Sequence, residues 1–153
     1  MMSFRLPLIE QLRERLLEKG ALIQVILGPR QVGKTSAIDT FLSEWKGESH
    51  YATADDRLSL GGDWIEMQWQ TAAQKWTGTV IVLDEIQKIP DWSEVVKKLW
   101  DRQGRRGYKG ARVRLVLLGS SSLELQTGLT ESLTGRFELI RAFHWTYWES
   151  RQA

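Results

Sequence analysis

Residues 28–35 read GPRQVGKT, which satisfies G-x-x-x-x-G-K-[ST], the pattern of a phosphate-binding loop. The residue types explain the pattern. Glycines let main-chain N–H groups close on an anion, and the N-terminus of a following helix adds partial positive charge. Gly28, Pro29, Arg30, Gln31, Val32, Gly33, Lys34, Thr35 and Ser36 are the expected cradle for a triphosphate. Lys34 would reach the β- and γ-phosphates, and the Thr35 hydroxyl would ligate Mg²⁺. A second chemical pair, Asp84-Glu85, follows the apolar run 79–83 (TVIVL). Open α/β sheets bind ligands at the carboxyl ends of their strands, so the acids and the glycine loop are expected to share one edge. Asp84 then holds Mg²⁺, directly or through water, while Glu85 orients and deprotonates the attacking water. Alone, an Asp-Glu pair after an apolar run suits a helix cap as well; the upstream loop decides for chemistry.

Two further positions carry a choice. Ser120 ends the run 113–118 (VRLVLL), where it either touches the γ-phosphate or attacking water, or caps the helix after it, with Ser121 as the alternative. Arg136, in the segment SLTGRF, is a candidate arginine finger, a group that stabilises charge on the transferring phosphoryl, often from a neighbouring subunit. An ordinary surface arginine fits that position equally well.

These groups need a scaffold, and hydrophobic periodicity supplies one. Residues 7–19 place Leu8, Ile9, Leu12, Leu16 and Leu17 on one helical face, with Pro7 at the first turn and Gly20 as the C-terminal cap. Residues 22–27 (LIQVIL) form a strand, and 36–45 a helix with apolar positions 37, 38, 41, 42 and 45. Residues 50–54 are weakly strand-like, and Asp63 is the expected cap of a helix running to Trp76. The run 79–84 (TVIVLD) reads as a strand buried on both faces of a parallel sheet. Asp91 and Trp92 open the next helix, 113–118 is another buried strand, and a short helix from Leu123 breaks near Gly128 and Gly135 before a last strand at 137–140. Strands alternating with helices imply right-handed βαβ crossovers and a three-layer α/β sandwich.

The whole chain sets the bounds. Its 153 residues suffice for one domain. Hydrophobic content of 42% and charged content of 26% are those of a soluble globular protein. A net charge of +2 gives no argument for nucleic acid, although Lys and Arg cluster at 97–114, where a solvated helix end and loop is the preferred reading. There is no cysteine, hence no disulfide framework or thiolate metal site. No apolar run is long enough to span a membrane, and a cytoplasmic location is expected. His50 and His144 fall in no ligand spacing. The terminal aromatics Phe143, Trp145, Tyr147 and Trp148 are expected to fold back on the domain or to meet a further segment.

In this order, GPRQVGKT, VIVLDEIQKIPDW, LVLLGSSS and SLTGRF resemble the AAA-type ATP-binding domain (AAA+ superfamily) of a large bacterial and archaeal family. The resemblance covers about residues 20–148, and DEIQKIPDW is its most specific part. It implies a P-loop NTPase sandwich with a parallel sheet in the strand order 5-1-4-3-2, binding ATP with Mg²⁺. It matches residues 28–35 to the Walker A loop, Asp84 and Glu85 to the Walker B pair, Ser120 to the sensor-1 position and Arg136 to the arginine finger. The expected organisation is a helix over 1–20, from its apolar spacing, ahead of a P-loop ATPase domain over 21–153; the resemblance implies continuation in the family by a winged-helix segment and a C-terminal domain, and a possible homo-oligomer in which Arg136 acts in trans.

The leading expectation is therefore an ATPase that couples hydrolysis to a conformational change. A kinase shares the loop, but the acid pair favours an activated water over an acceptor hydroxyl. A GTPase lacks support, since the chain contains no asparagine and so no N-K-x-D motif. An ATP-dependent binding platform without hydrolysis is the remaining class.

Overall fold

The computed structural model describes residues 7–18, 20–28, 34–55, 61–75, 78–109, 112–120 and 123–141, and of residues 7, 34–36, 123 and 124 the backbone alone. Along the chain run α1 (Pro7–Leu17), β1 (Ile23–Leu27), α2 (Lys34–Glu44), β2 (Ser49–Thr53), α3 (Gly62–Ala73) and β3 (Thr79–Asp84). A 3-10 turn (Ile86–Lys88), α4 (Trp92–Gly104), β4 (Val113–Gly119), α5 (Leu123–Ser132) and β5 (Phe137–Arg141) follow. The five strands form one sheet in the order β2-β3-β4-β1-β5, and every pairing is parallel. Read from the other edge this is 5-1-4-3-2, the expected order. Among the described residues no helix is long and apolar enough to cross a membrane.

The sheet is covered on both faces because successive side chains of a strand point to opposite sides. Ile23, Val25 and Leu27 of β1, Ile81 and Leu83 of β3, and Leu115 and Leu117 of β4 join a core with Ile65, Trp69, Val96, Leu99, Leu125 and Leu129 of α3, α4 and α5. The intervening residues Ile26, Val80, Val82, Val116 and Leu118 join a second core with Leu8, Leu12 and Leu16 of α1 and Ala37, Ile38 and Phe41 of α2. α1 is thus part of the covering layer of the sheet. Leu17, expected on its apolar face, points outward at 59% exposure. The four residues 8, 9, 12 and 16 already complete the stripe, and 17 falls beyond its edge.

Two expected boundaries shift for local reasons, those at Asp63 and Gly128, and a third stands where expected. Asp63 lies inside α3, whose N-cap is Gly61, with no side-chain cap bond; a carboxylate there still favours the positive end of the helix. Asp91 does precede α4, but at φ 58° and again without a side-chain cap bond. Gly128 sits within α5 instead of breaking it. A Cβ at 128 would stand 2.6 Å from Trp92 Cζ2, so glycine is required there for the close approach of that indole. β2 is half-exposed along its length, as suits an edge strand, and this explains its weak apolar pattern.

One buried polar side chain fixes the entry to β4. Gln103, 6% exposed, accepts from the Val113 N–H at 3.0 Å and donates to the Val113 carbonyl at 3.1 Å. Its amide mimics a strand neighbour and ties the end of α4 to the first residue of β4. Replacing it with leucine strands a buried N–H. Gln103→Leu is expected to lower stability by about 2 kcal/mol, read as a reduced urea midpoint at unchanged slope.

Candidate active site at the carboxyl edge of the sheet

Register decides where the chemical groups emerge. Leu27 pairs with Gly119 and Ile26 with Leu118, while Asp84 pairs with Leu118 across β3 and β4. In a parallel sheet the continuations of β1, β3 and β4 therefore leave on one edge. Gly28, Glu85 and Ser120 begin those continuations. The Gly28 N–H donates to the Gly119 carbonyl at 3.3 Å and pins the start of the glycine loop to β4. α2 opens at Lys34 on the same edge, so Lys34, Thr35 and Ser36 form its first turn. Strand, glycine segment and helix N-terminus thus occur in the order that a phosphate cradle requires. Pro29, Arg30, Gln31, Val32 and Gly33 lie outside the described residues, as do the side chains of 34–36.

The acid pair is buried at the lip of this edge. Asp84 and Glu85 are each 8% exposed, a condition carboxylates tolerate only with polar partners. The Tyr51 hydroxyl, from the neighbouring edge strand, donates to Asp84 Oδ2 at 2.5 Å. Glu85 adopts φ 54°, ψ 40°, the left-handed region, which for a residue with a Cβ stores about 1–2 kcal/mol of strain. That turn ends β3 abruptly and sends residues 86–88 into the 3-10 turn. Gln87 Nε2 then donates to Glu85 Oε2 at 2.6 Å and to Ser120 Oγ at 3.3 Å. Lys88, next in the turn, pairs with Asp55 beyond β2. The site is built from the ends of β2, β3 and β4 together.

Neither Tyr51 nor Gln87 was visible as a site residue in the sequence. The usable signal for Gln87 was an amide two residues after an acid pair, in a segment too short for a helix. For Tyr51 there was none, because the register of β2 against β3 is a tertiary fact.

Among the described residues no three His, Cys, Asp or Glu side chains converge as a metal cage. Mg²⁺ does not ask for one, since it is commonly held by one or two carboxylates, waters and substrate phosphates. A buried carboxylate on the edge where α2 begins fits that donor set. His50 bonds Gln68 at 2.7 Å, a structural contact as expected; His144 and the aromatics from 143 onward lie outside the described residues.

Arg136 is placed elsewhere. Its carbonyl accepts from the N–H of Ile23, the first residue of β1, at 2.9 Å, and β5 starts at the next residue. It therefore stands at the amino edge, roughly 16 Å of strand away from the acid pair at about 3.3 Å per residue. Its guanidinium grips both carboxylate oxygens of Asp101 on α4, at 2.7 and 2.9 Å. That hydrogen bond is the main reason the Asp101 carboxyl is held below its ordinary value. Arg136 does not reach the site of its own chain. A cavity of about 470 Å³ also opens at the amino edge, lined by Leu16, Glu18, Trp100, Gln103, Arg112 and Arg114 among others. It contains neither the acid pair nor the start of the glycine loop. Arg114 there is structural, bonding the carbonyls of Leu16 and Gly78.

Residues 21–150 match the family model of the AAA domain. The chain belongs to that AAA domain family. It is 32% identical over 118 residues to the uncharacterized proteins Rv2008c of Mycobacterium tuberculosis and Mb2031c of Mycobacterium bovis. Those matches take in 77% of this chain and 24% of each relative, so the chain spans about a quarter of the length of the curated relatives it matches. Among solved structures its fold is similar to that of Cdc6p from Pyrobaculum aerophilum (TM-score 0.64, 15% identity, 93% of this chain and 47% of that one). It is similar also to RuvB of Thermotoga maritima, a Holliday junction branch migration motor (TM-score 0.59, 16% identity, 88% and 43%). A third similar fold is the Aeropyrum pernix ORC1 protein, solved in complex with DNA (TM-score 0.57, 18% identity, 91% and 45%). This AAA domain therefore has the P-loop AAA+ ATPase fold.

Proposed function

We propose that this AAA domain binds ATP with Mg²⁺ and hydrolyses it, coupling turnover to a conformational change in a partner segment or molecule. One observation carries the reading. The start of the glycine loop, the N-terminus of α2 and the buried pair Asp84-Glu85 leave the sheet on the same edge. Gly28, Pro29, Arg30, Gln31, Val32, Gly33, Lys34, Thr35 and Ser36 surround the phosphates, with Lys34 on the β- and γ-phosphates. Thr35 and Asp84 hold Mg²⁺, which when bound neutralises charge on the phosphate oxygens. Tyr51 keeps Asp84 from turning away. Glu85 takes a proton from water as the water oxygen bonds to the γ-phosphorus. The bond from that phosphorus to the β–γ bridging oxygen breaks, and ADP leaves with the electron pair. Ser120 touches the γ-phosphate or the water. Arg136 serves the site of a neighbouring copy, since its own is an edge away. The missing N-K-x-D motif supports adenine over guanine.

The test is direct. Lys34→Ala is expected to weaken ATP binding on the order of a hundredfold, the scale of losing charge-assisted bonds to phosphate, in calorimetric titration with Mg²⁺ present. Unchanged affinity in a folded variant would remove the glycine loop from the binding site.

A further inference from the structure

Gln87 carries an arrangement that the roles above do not use. A glutamine amide has two N–H donors and one carbonyl acceptor. Here both donors act: one on Glu85 Oε2 at 2.6 Å, the other on Ser120 Oγ at 3.3 Å. The same NH₂ group thereby joins the end of β3 to the end of β4. Its Oε1 is buried with no hydrogen-bond partner, an uncommon condition that calls for an explanation at each occurrence. Gly119 makes room for it, because a Cβ at 119 would lie 2.8 Å from that oxygen. The side chain is thus admitted at the cost of a glycine in β4, holds the buried carboxylate, and keeps an acceptor in reserve beside it.

We infer that Gln87 is the positioning residue for Glu85: it orients the carboxylate toward the attacking water and couples that orientation to Ser120. This rests on the reading of Glu85 as the base. Glu85 is a side chain with three torsions, and a donor on one of its oxygens fixes where the other points. Ser120 shares the donor group, so a change at Ser120 on nucleotide binding alters the hold on Glu85. The reserved Oε1 accepts an O–H from a water that enters with the nucleotide. Gln87 touches no phosphate in this scheme and acts on the reaction through Glu85 and Ser120.

Steady-state hydrolysis is measured for the wild type, Gln87→Leu, Gln87→Glu, Ser120→Ala and the double variant Gln87→Leu/Ser120→Ala. Gln87→Leu is expected to lose about ten- to a hundredfold in kcat, the scale of a hydrogen bond to a charged group, with KM for ATP within about twofold. Gln87→Glu keeps the length of the side chain but not the donor, and is expected not to restore kcat. The double variant is expected to lose clearly less than the product of the two single losses, because part of the effect of Ser120 passes through its link to Gln87 and the rest through its own contact with phosphate or water. An unchanged or raised kcat in Gln87→Leu, or losses that multiply independently, would overturn the assignment. A readout independent of turnover is the side-chain NH₂ resonance pair of Gln87 in nucleotide-free protein, recognised by its loss in Gln87→Leu. It is expected to shift in both Glu85→Gln and Ser120→Ala; resonances blind to both substitutions also overturn the assignment. If instead Glu85→Gln hydrolyses ATP as the wild type does, the reading of Glu85 fails, whatever Gln87 does.

Discussion

Glu85→Gln binds ATP as tightly as the wild type and loses hydrolysis by about two to four orders of magnitude: this is the first expected result, and its size is that of removing a general base. The substitution is nearly isosteric, so the left-handed turn at residue 85 and the contact with Gln87 have the same space to fill. Its amide cannot take a proton from water. Nucleotide binding is assigned to the glycine loop, Lys34, Thr35 and Asp84, none of which the change alters. Binding by calorimetry and phosphate release by a coupled assay, on the same preparation, separate the two properties. Release at the wild-type rate would mean that another group activates the water, and the burial of Glu85 would then need a different explanation.

The second large effect concerns Arg136. Arg136→Ala is expected to lower kcat by about three orders of magnitude, the scale of an arginine finger supplied in trans. The geometry makes a specific demand on how that activity is lost. Arg136 sits at the amino edge beside Asp101, so it reaches a nucleotide only on another copy, after exchanging its carboxylate partner for phosphate. Exposed ion pairs are weak and salt-sensitive, and such an exchange is feasible. Two inactive variants should therefore complement each other. Lys34→Ala keeps an intact finger but no binding site, Arg136→Ala keeps an intact site but no finger, and their mixture should recover part of the wild-type hydrolysis. No recovery, or full activity in Arg136→Ala alone, would return Arg136 to the role of a surface residue held by Asp101.

The fold was largely legible because its signals are local. Residues 79–84 and 113–118 announce buried strands through near-continuous β-branched and apolar side chains, and the helices announce themselves through their 3.6-residue spacing; all appear within a few residues of their expected ends. The misjudged positions are those where a distant neighbour decides. Gly128 resembles a breaker until Trp92 is seen against it, and Leu17 belongs to the apolar stripe until the sheet surface is already covered by Leu16. That Gly28, Glu85 and Ser120 emerge on one edge followed from strand direction, since a parallel sheet places the residues after β1, β3 and β4 together. The partners of the acids did not. Tyr51 and Asp84, like Gln87 and Ser120, are 33 residues apart, and nothing short of the sheet register brings either pair together. The same holds for Arg136, whose motif position was readable but whose grip on Asp101 was not.

The central claim is that one bound metal–triphosphate lies between the glycine loop and the acid pair. Mn²⁺ in place of Mg²⁺ makes that claim measurable by NMR, because a paramagnetic ion broadens the amide signals of nearby residues. With Mn²⁺ and a slowly hydrolysed ATP analogue, the amides of Gly28 and Glu85 are expected to broaden together, while those of Ile23 and Gly135 at the amino edge stay sharp. Broadening of Gly28 without Glu85, of Glu85 without Gly28, or of the amino edge instead, would contradict the account.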